Sequence, residues 1–115
     1  MAYDLFLSER VSYFFKSKNI PFIEKKMFGG LCFMIDNKMC VGILKNEVTA
    51  RIDPDIYEVS LTKKGCNKMN FTGRSAKGFV FLSDEAIDLD EDLYYWLQLA
   101  LDFNPKAKVS KKKKS

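Results

Sequence analysis

Histidine is absent from the 115 residues. That removes the commonest general base and the commonest metal ligand together. Cysteine is scarce: Cys32, Cys40 and Cys66 are odd in number, and no two stand in CxxC spacing. They make neither a disulfide framework nor a usual zinc site, and a reducing cytoplasm is the expected setting. No apolar run approaches the roughly 18 residues that a membrane-spanning helix needs. Asp4 and Glu9 stand where a signal peptide would carry a basic start and an unbroken apolar stretch. There is no P-loop and no GxGxxG, so neither a nucleoside triphosphate nor a dinucleotide finds its usual cradle. These absences leave no catalytic residue, metal or cofactor to expect.

Hydrophobic residues make up 47% of the chain and aromatics 14%, which fits one folded domain with a single core. The net charge of +4 is unevenly placed. Lys106, Lys108 and Lys111 to Lys114 all follow Pro105; without those six the body holds 13 Lys and Arg against 15 Asp and Glu, a balance of −2. The division expected is a folded domain over 1–104 and a lysine-rich, disordered tail over 105–115.

Leu7, Val11, Phe14 and Phe15 recur at helical spacing and predict a helix over 4–18, ended by Asn19 and Pro21. From Phe22 to Ile52 the pattern is extended. Phe22 to Phe28 and Leu31 to Ile35 flank Gly29-Gly30, which is either a tight turn or a bulge inside one long strand. With Met39–Leu44 and Val48–Ile52 this predicts a three-stranded antiparallel meander. Asp53-Pro54 starts a second helix, with Asp as the cap and Pro at the first helical position, and Gly65 closes it. A short extended piece near Lys68–Phe71 and a strand over Lys77–Leu82 follow. The acidic stretch Asp84 to Asp92 suits the start of a helix, and 90–104 is strongly amphipathic. The expected fold is α+β, a two-layer α/β sandwich of order α-β3-α-β2-α with a single antiparallel sheet.

Both faces of the central hairpin are apolar: Leu31, Phe33 and Ile35 point one way, Cys32 and Met34 the other. Helices cover one face, so the other predicts a two-fold homodimer, or else a loop over 62–78 folded back upon it. A hairpin turning about Asp36 would set Cys32 opposite Cys40; the alternative is that both are small buried residues. Residues 63–77 hold Lys63, Lys64, Lys68, Arg74 and Lys77 and no acid. With Phe71 and Phe79 beside them they form either an anion-binding concavity or a solvated basic loop balancing the acids of 84–92. The tail lysines attract phosphate backbones without sequence preference, so weak nucleic-acid binding is the alternative function.

Lys26-Met27-Phe28-Gly29-Gly30, Phe33, Met39, Gly42, Arg51, Phe71-Thr72-Gly73-Arg74 and Lys77-Gly78, in this order, resemble the N-terminal domain of the TfoX/Sxy competence-regulator family. The resemblance covers roughly residues 2–104. It implies an α-β3-α-β2-α sandwich, a bacterial cytoplasmic protein and often a dimer. Regulators of the family promote natural competence with the cyclic-AMP receptor protein at certain promoters. They also carry a second, C-terminal domain similar to a helix-hairpin-helix module, for which 115 residues have no room. The function expected is a non-enzymatic regulatory or binding module acting through protein contacts, including a protein partner in transcription regulation. Lys26, Arg51, Arg74 and Lys77 are the candidate anion or partner contacts, with Phe28 and Phe71 as shape-giving neighbours.

Overall fold

The computed structural model describes the backbone of residues 4–27, 30–71 and 74–106, and their side chains apart from those of 27, 69–71 and 74–77. Helix α1 (Leu5–Ser17) begins where a carboxylate can cap it. Asp4 Oδ1 accepts from the amides of Phe6 at 2.9 Å and Leu7 at 3.2 Å, two of the donors a helix start leaves unpaired. Its apolar stripe of Leu7, Val11, Phe14 and Phe15 is buried as expected. Asn19, in the left-handed region at φ 60°, ends it.

Four strands follow: β1 (Ile23–Met27), β2 (Gly30–Ile35), β3 (Lys38–Leu44) and β4 (Glu47–Arg51). The expected meander had three. The chain instead reverses between β1 and β2, which pair antiparallel with Met27 opposite Gly30. A β-carbon on Gly30 would collide with the Ile43 carbonyl oxygen, so only glycine lets the strand start this close to β3. Between β2 and β3, Asp36 and Asn37 both have positive φ, 59° and 66°, the two-residue turn whose twist matches a hairpin. Ile35 then pairs with Lys38 and Met34 with Met39, but the register shifts and Phe33 meets Val41. Cys32 consequently faces Gly42, not Cys40; a bulge of one residue overturns the opposed-cysteine reading.

Asp53 caps the next segment as expected, its carboxylate accepting from the Asp55 amide at 2.9 Å. A 3-10 turn (Pro54–Ile56) runs into the short helix α2 (Tyr57–Ser60), which ends well before Gly65. The last hairpin is β5 (Cys66–Phe71) and β6 (Arg74–Leu82), both longer than the sequence pattern suggests. The sheet runs β1-β2-β3-β4-β6-β5. The acidic stretch heads two helices: Asp84 and Glu85 open α3 (Asp84–Ile87), and Asp90, Glu91 and Asp92 open α4 (Asp90–Phe103). Pro105 lies in the 3-10 turn (Asn104–Lys106) that stops α4.

The chain is thus α+β, with a six-stranded antiparallel sheet and, among the described residues, four helices. One core joins the inward stripes of the helices to alternate sheet positions: Leu31 and Phe33, Val41 and Ile43, Val48, Ala50 and Ile52, Val80 and Leu82. Phe15, Phe22 and Phe33 stack at its centre with ring centroids 5.5 to 6.1 Å apart. Each such ring contributes roughly 1.5–3 kcal/mol by leaving water. Two polar ties orient α4. Arg10 donates to Asp90 Oδ1 at 3.1 Å and to the Ile87 carbonyl at 2.8 Å, holding the α3–α4 junction. At the far end the buried Lys38 ammonium donates to the Asn104 carbonyl at 3.0 Å, a cation where the helix dipole favours one.

Candidate functional site

Because the helices take one face of the sheet, alternate residues of the central strands face away from them. Cys32, Met34 and Thr49 are buried there, while Met39, Arg51, Phe79 and Phe81 are half-buried. A β-carbon on Gly42 would lie 3.3 Å from the Met39 methyl and 3.7 Å from the Cys32 sulfur, so these side chains close over the glycine. The face is more tightly packed than its composition suggests. On its edge strand this face also carries Ile23, 60% exposed and paired with Met34, whereas the other exposed large apolar groups among the described residues lie on α1 (Leu5, Phe6, Tyr13), on α2 (Val59), after α3 (Leu89) and on α4 (Tyr95).

Arg51 ends β4 on this helix-free face. It stands opposite Phe79 in register, and its guanidinium carbon is 5.3 Å from the Phe79 ring centroid. Among the described side chains no carboxylate lies within ion-pairing distance of it. Burial pushes its pKa below the ordinary arginine value, an effect partly offset by the neighbouring Cys40. An arginine placed over an aromatic ring still has N–H donors to offer a carboxylate or phosphate.

The other sequence candidates divide by position. Lys77 lies two residues before Phe79 on β6, and Arg74 stands opposite Phe71 beside the β5–β6 turn. The backbone therefore gathers Arg51, Arg74, Lys77 and Phe71 in one half of the sheet; the side chains of the last three lie outside the described residues. Lys26 is exposed on β1, opposite Leu31 on the helix side, three strands from Arg51. It does not join Arg51. Phe28 lies outside the described residues. The three thiols are free and buried. Burial raises Cys32, pushes Cys66 up to about 11 and pushes Cys40 up to about 12, the last against the opposing pull of Arg51. They are protonated and poorly nucleophilic at neutral pH.

The sequence reading missed a second feature. The turn after α2 packs on the starts of α3 and α4, leaving a cleft of about 520 Å³. Gly65 makes the approach: at φ 78°, its β-carbon would stand 2.5 Å from the Ala86 amide nitrogen. Lys63 and Lys64 line the cleft beside Glu85, Glu91 and Asp92. The Lys63 ammonium lies 5.3 Å from the Tyr95 ring centroid, and buried Trp96 closes the floor. Part of the basic segment, Lys63 and Lys64, thus shares a cleft with carboxylates of 84–92. The available signal was Tyr95, which the helical spacing of Leu93, Trp96 and Leu97 leaves off the buried stripe.

Comparison with models of protein families matches residues 18–104 to the TfoX N-terminal domain. The match spans every strand of the sheet and begins just after α1. No curated protein and no solved structure matches the chain.

Proposed function

The chain belongs to the TfoX N-terminal domain family, and from that premise we propose that it is a non-catalytic regulatory module acting through protein contacts. It pairs with a second copy across the helix-free face of the sheet, in a cytoplasmic setting, and the pair engages a protein partner in competence or transcription regulation. The observation that carries this reading is Arg51, half-buried on the Phe79 ring at the rim of a face that no helix covers. Met39, Phe79 and Phe81 supply the apolar contact and Arg51 supplies positive charge toward the partner; Arg74 and Lys77 follow along the adjoining strand. The Cys32 thiol on this face is held protonated by burial.

Sedimentation equilibrium tests the pairing. The wild-type chain sediments as a dimer, and Phe81→Glu sediments as a monomer with an unchanged circular dichroism spectrum. A wild-type chain that stays monomeric at high micromolar concentration defeats the reading.

The nucleic-acid alternative has less support on the folded part. Lys63 and Lys64 share their cleft with three carboxylates, and the body without the tail lysines carries −2. Phosphate attraction then belongs to the tail and is nonspecific.

A further inference from the structure

The strand that carries Arg51 also carries its opposite charge. Val48 and Ala50 turn into the core, so Glu47, Thr49 and Arg51 alternate onto the helix-free face. Glu47 and Arg51 are both half-buried, and among the described side chains neither lies within ion-pairing distance of an opposite charge. Within one chain the strand holds them apart, four residues or roughly 14 Å from each other. Thr49 stands midway between them, opposite Gly42 on β3 and Phe81 on β6. The face thus has a central row, Gly42–Thr49–Phe81. An acid lies two residues to one side of that row on β4, and a base two residues to the other.

Such a strand is complementary to itself in reverse. Two copies that meet face to face are related by a two-fold axis lying between their sheets. Laid along β4, that axis makes the facing strands parallel and sets Glu47 on Glu47 and Arg51 on Arg51. Laid across β4, it makes them antiparallel and sets each Glu47 against the Arg51 of the other copy. Like charges facing each other across an interface are penalised, and opposite ones fix its register. We infer that the axis runs along the Gly42–Thr49–Phe81 row, so that Glu47 of the second copy completes the Arg51 site and the two Phe81 rings meet on the axis. This rests on the pairing proposed above and fixes its geometry. The Arg51 guanidinium, 5.3 Å from the Phe79 ring centroid, stands at the strand end where the incoming carboxylate arrives. Stacked sheets lie about 10 Å apart, a gap that a glutamate and an arginine bridge from opposite sides. Aligned sheets cross at about 30°, which displaces each strand end by only about 3.5 Å, within the range of an arginine side chain.

The experiment uses the full chain in sedimentation equilibrium, with circular dichroism as the check on folding. Glu47→Arg leaves bases at both ends of the strand and Arg51→Glu leaves acids at both, so each loosens its own dimer at least about tenfold at low salt. Mixed one to one, the two variants form a heterodimer about as tight as the wild-type dimer, because both of its pairs are again opposite. Added salt tightens the dimers of the single variants and loosens the wild type, since it screens repulsion and attraction alike. Glu47→Gln and Arg51→Gln repeat the test without adding charge, in case a reversed charge prevents folding. Each loosens the dimer about three- to tenfold, and the two together loosen it no more than either alone. A wild-type dimer that Phe81→Glu dissociates, but that the charge variants leave unchanged, overturns this inference and leaves the pairing of the faces standing. Folded variants that loosen the dimer without recovery on mixing overturn it too, since they place Glu47 and Arg51 against other groups. A monomeric wild type overturns both the pairing and its register.

Discussion

Cys40 shows how one buried atom links the fold to pH. It is 1% exposed, and burial pushes its thiol up to about 12, while an unfolded thiol ionises near 9. Between those values the unfolded chain has released the proton that the folded chain keeps, so unfolding gains ground as pH rises. We expect the urea midpoint to fall from pH 9 toward 12, and Cys40→Ala to flatten that part of the curve while lowering its plateau. A profile as steep in the variant as in wild type would remove Cys40 as the cause. At this scale the sequence was partly legible. The caps at Asp4 and Asp53 are local chemistry, set by an oxygen two or three residues from an unpaired amide. The bulge that sets Cys32 against Gly42 was not legible, because register is settled by which side chains find the core.

Elements followed their own periodicity wherever that periodicity was long. The stripes of α1 and α4 are written at helical spacing, and both helices appear within a residue or two of the expected limits. The short elements were harder. The acids of 84–92 suit a helix start, and they open two helices because Ile87, buried at 2%, ties down the first before Leu89 leaves it. The contact between the turn after α2 and the start of α3 rests on Gly65. Gly65→Ala forces a side chain into φ 78° and within 2.9 Å of the Ala86 β-carbon. We expect a loss of about 1–3 kcal/mol, read as a lower urea midpoint at unchanged slope, together with a shifted Trp96 emission. A neutral variant would mean that the turn can pivot away, and that the cleft is not a fixed feature.

At the scale of the whole molecule, charge is unevenly distributed along the sequence. The body carries −2 without the tail lysines, and those lysines alone make the chain basic. Fluorescence anisotropy with duplex DNA should therefore show weak binding with a log–log salt slope of about −3 to −4, set by the Lys111–Lys114 run. Replacing the four lysines with Gln abolishes it. Binding that survives would locate phosphate contact on the fold, near Arg51, Arg74 and Lys77.

The sequence by itself determined the fold class, the two long helices, the capped starts and the family. All of these depend on local spacing or on short ordered motifs that a linear reading can follow. Tertiary structure alone decided between a turn and a bulge at Gly29-Gly30, set Lys26 apart from Arg51, and brought Lys63 to Tyr95 in a cleft that carboxylates also line. Those outcomes join residues distant along the chain. They depend on the single arrangement in which one apolar side of the sheet and the stripes of the helices are buried together, and no local pattern carries that information.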